Sequence, residues 1–167
     1  PALEYVKRRS DLNPGRMVGL GFSMSASAFV LTLHPDVKTI VADSPYAVLE
    51  GLIGRQYFFL PGLTKWPFVA LTKLYAHLLL GVRVSDAAPV DVVRHLNTPL
   101  LIIHGDEDSQ IPIEHSQAIY AKADHDQTQF WIVPGADHGF AHGLEGPRYE
   151  LRVRQFFEKN LCPAPGI

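Results

Sequence analysis

The chain has 167 residues, of which 47% are hydrophobic and 19% are charged, and its formal net charge at pH 7 is −2. This composition is typical of a globular domain in water, and the length is sufficient for one domain with a hydrophobic core. Because the charges nearly balance and no long block of lysine or arginine occurs, the composition indicates neither a nucleic-acid partner nor an anionic membrane surface.

The single cysteine, Cys162, cannot form a disulfide within the chain, so nothing indicates a disulfide-stabilised secreted domain. Residues 1–11 are charged and helix-like, unlike a signal peptide. The most apolar region, residues 57–84, is interrupted by prolines, lysines and a histidine, so it does not predict a membrane span. We therefore expect a soluble, cytoplasmic protein.

Four short apolar segments are predicted to be buried strands, each followed by glycine, proline or polar residues. They are residues 16–22, 37–42, 99–104 and 129–133. The third is continuously apolar rather than alternating, as a strand covered on both faces requires. Helical patterns follow at residues 23–33, 112–123 and 147–161. This alternation predicts an α/β fold with a mostly parallel sheet flanked by helices.

Residues 46–96 form a stretch that is too long for a plain connection between two strands. It contains the aromatic residues Tyr57, Phe58, Phe59, Trp66, Phe68 and Tyr75. We predict that residues 1–167 form a single domain and that residues 46–96 are a small helical, cap-like insertion within it. The insertion is expected over the C-terminal ends of the strands, where open α/β sheets bind ligands. It either lines an acyl pocket or simply covers the core.

The segment Gly21-Phe22-Ser23-Met24-Ser25 joins the first predicted strand to a predicted helix. A serine on such a sharp turn projects its hydroxyl from the sheet edge, and the residues two before and two after it must be small. The backbone N–H of Met24 begins the helix, where it can stabilise an oxyanion. The alternative is a tight turn in which Ser23 only caps the helix.

Two later loops carry ionisable residues at the ends of predicted strands. Ile103-His104-Gly105-Asp106-Glu107-Asp108 precedes a helix, so its carboxylates are either functional groups or ordinary helix-start residues. Residues 134–140 place His138 in a glycine-containing loop, where it is either a partner of Ser23 or a surface histidine. Because all three loops leave the same ends of parallel strands, we expect them to converge.

In the chain order serine, acid, histidine, these segments resemble the nucleophile elbow, acid loop and histidine loop of the α/β-hydrolase superfamily. Asp43-Ser44-Pro45 adds to the resemblance, which is to the bacterial branch of esterases, dienelactone-hydrolase-like enzymes and serine peptidases. It implies a catalytic triad of Ser23, Asp108 and His138, with the Met24 N–H as oxyanion donor and no metal or cofactor. Asp108 is chosen because the family places its acid three residues after the loop glycine.

The chain departs from the family pattern in two places. Ser25 stands where the family usually has glycine, which we expect to be tolerated with some crowding. Only 22 residues precede Ser23, whereas the family places several strands and a second oxyanion donor before it. Losing one such donor typically lowers the rate by about 10²–10³. We expect half of a usual hydrolase. Either its open edge at residues 17–20 pairs with a second copy or another partner, or the chain is a fragment whose other half is separate or lost.

The predicted function is a serine hydrolase that cleaves small-molecule carboxylic esters through an acyl-enzyme. A peptidase or thioesterase would use the same residues, because substrate choice depends on the surrounding loops. The non-enzymatic alternative is a truncated, weak or inactive domain that acts through oligomerisation or a partner. A metal site is disfavoured, because glycines interrupt the helix that its histidine pair would need. Its candidate ligands are His104, Asp106, Asp108, His138 and His142.

Overall fold

A computed structural model of the chain describes residues 2–57 and 60–161. At its centre four parallel strands form a sheet in the spatial order β1-β2-β3-β4. The strands are β1 (Met17–Phe22), β2 (Val37–Asp43), β3 (Leu100–Gly105) and β4 (Thr128–Val133). Every residue of β3 is buried, which explains why its sequence is apolar without alternation. The predicted parallel α/β sheet is confirmed, and each strand begins and ends within one residue of its predicted position.

Helices cover both faces of this sheet. They are α1 (Ala2–Lys7), α2 (Met24–Thr32), α3 (Leu49–Gln56), α4 (Gly62–Leu80), α5 (Pro89–Val92), α6 (Glu114–Lys122), α7 (Ala141–Glu145) and α8 (Pro147–Leu161). Helices α2, α5 and α6 bury their apolar side chains against one face, with Ile40 and Ile102 at the centre of that core. Helices α7 and α8 pack on the other face against Leu101, Ile103 and Trp131.

The interval 46–96 is helical in its described part, and its two ends differ in how they pack. Helix α4 packs on α3, whereas α5 and the 3₁₀ turn Val93–His95 belong to the layer that covers the sheet. Val90, Val93 and Leu96 are buried in that layer. The cap-like role of α3 and α4 stays a prediction. The predicted residues Phe58, Phe59 and Cys162 lie outside the described residues.

One edge of β1 has no neighbour within the part of the chain that the structure describes. Val18, Leu20 and Phe22 of this strand are 37%, 55% and 43% exposed. The open edge that the sequence predicts is therefore present in this chain. None of the described helices combines the length and the apolar character that a membrane crossing needs.

The strand register brings the loops of interest to one edge of the sheet. Phe22 lies beside Asp43, and Asp43 lies beside Ile103. Gly105 lies beside Val133, the last residue of β4. The segments that follow β1, β3 and β4 consequently leave the sheet side by side, so their side chains are able to meet.

Candidate active site

Ser23 stands on a strained turn between β1 and α2. Its φ and ψ are 55° and −116°, a region that a non-glycine residue rarely adopts, and its N–H donates to the Asp43 carbonyl at 2.8 Å. The turn requires glycine at position 21, since a Cβ there would lie 2.6 Å from the backbone nitrogen of Ala26. The result is a serine held in one orientation at the carboxyl edge of the sheet.

Ser25, the departure from the family pattern, supports this turn. Its hydroxyl donates to the Phe22 carbonyl at 2.8 Å and accepts from the Phe22 N–H at 2.9 Å. We expected the Ser25 side chain to crowd this turn. The structure shows that it makes a pair of hydrogen bonds to the residue before Ser23. These bonds tie the first turn of α2 back to the end of β1.

His138 contacts both of its predicted partners. Its Nε2 lies 3.1 Å from the Ser23 hydroxyl oxygen, and its Nδ1 lies 2.7 Å from Oδ2 of Asp108. Because an ionised carboxylate only accepts, Nδ1–H donates to Asp108, which leaves Nε2 to accept the Ser23 hydroxyl proton. The imidazole also packs on the Phe22 ring, with a centroid distance of 4.8 Å. The structure thus brings the three predicted residues into one continuous chain of hydrogen bonds.

Asp108 is held as an ionised acceptor. Its side chain is fully buried, and its Oδ1 accepts from the N–H groups of Gln110 at 3.0 Å and Ile111 at 2.7 Å. Burial alone raises the pKa of this carboxyl, but hydrogen bonds from His104, Ile111 and His138 outweigh it and hold the pKa well below its usual range. The negative charge that would stabilise a protonated His138 is therefore present at neutral pH.

The acid and histidine loops are kept together by close backbone contact. A Cβ at Gly105 would lie 2.0 Å from the Ala136 carbonyl oxygen, so only glycine permits this approach. The Glu107 N–H donates to that same carbonyl at 3.2 Å. This packing fixes the separation between Asp108 and His138, which belong to loops after different strands.

A cavity of about 230 Å³ opens beside Ser23 and His138. Helix α3 of the predicted insertion supplies apolar side chains to its wall. The lining residues are Ser23, Met24, Tyr46, Leu49, Leu52, Ile53, Gln110, Ile111 and His138. Larger cavities along α8 lie away from these groups. Ser23 and His138 line the smaller cavity, which therefore adjoins the candidate site.

The sequence pattern of the prolyl oligopeptidase family matches residues 2–163, which is nearly the whole chain. The chain belongs to the prolyl oligopeptidase family. Among curated relatives it is 28% identical to the α/β-hydrolase domain-containing protein WAV2 of Arabidopsis thaliana, over 95% of this chain and 52% of that protein. It is 27% identical to human protein ABHD12B, over 93% of this chain and 44% of the relative. The chain thus spans about half the length of these curated relatives.

Solved structures show the same fold. An esterase of Pyrococcus furiosus superimposes with a TM-score of 0.67 at 24% identity, over 96% of this chain and 61% of the esterase. An acylaminoacyl peptidase of Pyrococcus horikoshii gives 0.64 at 19% identity, over 98% of this chain and 27% of the peptidase. At these identities the likeness concerns the fold alone. With the family match it makes this chain a member of the α/β-hydrolase superfamily, as the sequence motifs indicate.

In this member of the prolyl oligopeptidase family, His104 is a site residue that the sequence reasoning considered only as a metal ligand. Its imidazole is fully buried, and Nε2 donates to the Ile111 carbonyl at 2.8 Å while lying 3.4 Å from Oδ2 of Asp108. Nδ1 lies 2.6 Å from the Ser116 hydroxyl. The sequence did contain a sign of this role. His104 lies at the end of a continuously apolar strand, where a polar side chain is expected to be buried and hydrogen-bonded.

Asp43 is a second buried carboxyl beside the nucleophile turn. Its Oδ2 accepts from the Tyr149 hydroxyl at 2.8 Å, and its Oδ1 accepts from the Ser44 hydroxyl at 3.1 Å. Burial raises the pKa of Asp43, although the two hydroxyls oppose the shift. Burial and the neighbouring Asp43 charge raise the pKa of Tyr149, so its hydroxyl remains a donor. This contact fastens α8 to the end of β2, at the residue whose carbonyl accepts from the Ser23 N–H.

The Asp43–Tyr149 contact predicts a pH-dependent loss of stability in Tyr149→Phe. Removing the hydroxyl leaves a buried carboxylate with one donor fewer, which we expect to cost about 1.5–3 kcal/mol at pH 7. The Tyr149 hydroxyl lowers the pKa of Asp43, so its removal raises that folded-state pKa further, and the deficit relative to the unchanged chain should grow as pH rises from about 4 to 7. Urea unfolding across this range measures it. Tyr75→Phe, at a residue 55% exposed on α4, is the control, and equal losses in both variants would contradict the assignment.

Two further carboxylates of these loops, Asp106 and Asp137, have structural partners. Asp106 is exposed and accepts from the Gly135 N–H at 2.6 Å. Asp137 accepts from the N–H groups of Ser109 at 2.8 Å and His138 at 2.7 Å. Hydrogen bonds from Ser109, first through its N–H, and from the His138 N–H lower the pKa of Asp137. These bonds hold the loop that carries His138.

The metal alternative receives no support from the placement of its candidate ligands. His142 lies 3.1 Å from Glu150 on the surface, whereas His104 and Asp108 are already bonded inside the acid loop. Among residues 2–57 and 60–161, no three histidine, cysteine, aspartate or glutamate side chains are grouped to hold a metal ion.

Proposed function

We propose that this chain is a serine hydrolase that cleaves carboxylic esters through an acyl-enzyme on Ser23. The observation that carries the proposal is the continuous hydrogen-bond chain from Ser23 through His138 to the buried Asp108. A serine hydroxyl is a weak nucleophile by itself, and an adjacent base that is oriented by a third group is what activates it. Membership of a hydrolase family supports the same chemistry.

In the proposed mechanism, Ser23 Oγ attacks the ester carbonyl carbon while Nε2 of His138 takes its proton. Asp108 keeps the remaining imidazole proton on Nδ1 and stabilises the positive charge that forms. The Met24 N–H, at the start of α2, is proposed to donate to the oxyanion of the tetrahedral intermediate. When the intermediate collapses, the ester C–O bond breaks and Nε2 returns the proton to the leaving alkoxide. Water then repeats these steps to release the acid and regenerate Ser23.

The cavity supports small or medium acyl groups as substrates. Its volume of about 230 Å³ and its apolar wall of Leu49, Leu52 and Ile53 suit a short aliphatic chain beside Ser23. Because all three of these residues belong to α3, we also propose that the interval 46–96 contributes the acyl pocket. The alternative role of this interval, covering the core, is filled mainly by α5.

A panel of chromogenic substrates tests the ester assignment. We expect turnover of p-nitrophenyl acetate and butyrate to exceed that of the octanoate ester, since a longer chain outgrows the cavity. Peptidase activity is the second candidate, favoured by the family's name and by the acylaminoacyl peptidase whose fold matches. Amino-acid p-nitroanilides and a thioester of butyrate complete the panel. If an anilide or the thioester is turned over faster than every oxygen ester, the ester assignment is wrong.

We further propose that the open edge of β1 pairs with another strand when the protein is functional. Unpaired N–H and C=O groups along a strand favour pairing with another strand, and Leu20 adds an exposed apolar side chain. A second copy of the chain is the expected partner in a purified sample. Light scattering should then report a dimer or larger assembly, and a monomer at every concentration would contradict this.

A further inference from the structure

Helix α4 has its polar and apolar faces in the reverse of the usual arrangement. The side toward α3 carries polar residues: Thr72 lies 2.6 Å from the Tyr57 hydroxyl, and Lys73 forms an ion pair with Glu50. A helix on the surface of a protein in water normally turns its apolar face inward and its charged face outward. In α4, Thr72 and Lys73 already have partners on the inner side.

The outward face of α4 is almost entirely apolar. Eight large side chains on it are between 47% and 95% exposed, namely Leu63, Trp66, Phe68, Leu71, Leu74, Tyr75, Leu78 and Leu79. The largest apolar patch on a typical monomer is about 300–600 Å², and it often marks a binding site. Eight such side chains along 19 residues exceed what scattered surface residues explain, although the Phe68 ring also contacts Tyr57. We call these eight residues the outer face of α4.

The segment that contains this face has more cations than anions. Residues 49–86 contain four cationic residues, Arg55, Lys65, Lys73 and Arg83, against the two acids Glu50 and Asp86, although the whole chain has a net charge of −2. Trp66 and Tyr75 are 75% and 55% exposed, and such rings with one polar atom favour the boundary between hydrocarbon and water. An apolar face flanked by cations is complementary to a layer of anionic headgroups above acyl chains.

We propose that the outer face of α4 binds the surface of an anionic phospholipid bilayer. The helix lies in the plane of the headgroups and inserts its leucines and Trp66 among the upper acyl chains. This differs from a membrane span. It revises the expectation drawn from composition, because the net charge of −2 for the whole chain hides the excess of cations in residues 49–86. Helix α3, which packs on α4, lines the cavity beside Ser23, so the proposed membrane face and the candidate site share one structural unit.

Vesicle co-sedimentation tests this proposal. The purified chain should sediment with vesicles of phosphatidylcholine mixed with phosphatidylglycerol, more weakly with phosphatidylcholine alone, and less as salt increases. Leu71→Glu combined with Leu78→Glu should weaken binding by at least about tenfold, because two apolar side chains no longer enter the acyl layer. Both leucines are exposed, so the far-UV circular dichroism and unfolding midpoint should match those of the unchanged chain.

The matched control replaces exposed leucines elsewhere. Leu144→Glu combined with Leu151→Glu, at residues 58% and 43% exposed on α7 and α8, should leave vesicle binding unchanged. Failure to sediment with any vesicle, or full binding by the α4 variant, would overturn the proposal. An oligomer that the α4 variant converts to monomer, without vesicle binding, would assign the face to a second copy instead. Ser23→Ala should bind like the unchanged chain, so this result is independent of ester hydrolysis.

Discussion

Replacing Ser23 by alanine, or His138 by glutamine, is expected to lower kcat for p-nitrophenyl butyrate by about 10⁴–10⁶-fold. Without the Ser23 hydroxyl no acyl-enzyme forms, and without Nε2 at 3.1 Å no base takes the hydroxyl proton. Because the two residues act as a unit, the double variant should be no slower than either single variant. Steady-state kinetics, with the unfolding midpoint of each variant measured in parallel, gives the result.

Matched controls separate the loss of these two groups from a general loss of stability. Ser85→Ala and His95→Gln replace the same residue types at exposed positions in short 3₁₀ turns. Both should retain activity within about twofold, since surface substitutions usually change stability by less than about 0.5 kcal/mol. If Ser23→Ala retains a tenth or more of the activity while it remains folded, Ser23 is not the nucleophile.

Replacing Asp108 by asparagine should lower kcat by about 10⁴-fold. The amide removes the charge that stabilises a protonated imidazole, and its NH₂ group is able to donate to Nδ1, which favours the tautomer that cannot accept the Ser23 proton. KM should change little, because Asp108 is buried behind His138 and does not line the cavity. The measurement is kcat and KM over a range of ester concentrations.

Asp106→Asn is the control for this substitution, in the same loop and only two positions away. Its side chain is exposed, and an asparagine oxygen can still accept from the Gly135 N–H. We expect its activity to stay within about threefold of the unchanged chain, as for other surface changes. A larger loss in Asp106→Asn than in Asp108→Asn would mean that the family spacing selects the wrong acid.

The elements that the sequence predicted well are those whose signal is local. The apolar run Leu100 to Ile103 fits only a strand covered on both faces, and the structure buries all of it. The helix Pro147–Leu161 repeats apolar residues at helical spacing and is bounded as expected. The meeting of the loops followed from topology, because successive parallel strands carry their carboxyl ends to one edge.

The features that sequence reasoning missed depend on contacts between distant segments. Asp43 and Tyr149 are 106 positions apart, and no local pattern indicates that they share a hydrogen bond. The role of His104 requires knowing that Ser116 and Ile111 fold back onto it. The orientation of α4 was also not predictable from the sequence, because apolar residues occur around most of the helix. Only the contacts of Thr72 and Lys73 identify its inner face.

Mass spectrometry after reaction with a fluorophosphonate ester tests the central claim most directly. Attack by Ser23 Oγ forms an O–P bond, expels fluoride and passes the serine proton to His138. We predict one adduct per chain on the peptide that contains Ser23, no adduct in Ser23→Ala, and slow labelling in Asp108→Asn. An unlabelled wild-type chain, or an adduct on another serine that persists in Ser23→Ala, would contradict the hydrolase assignment.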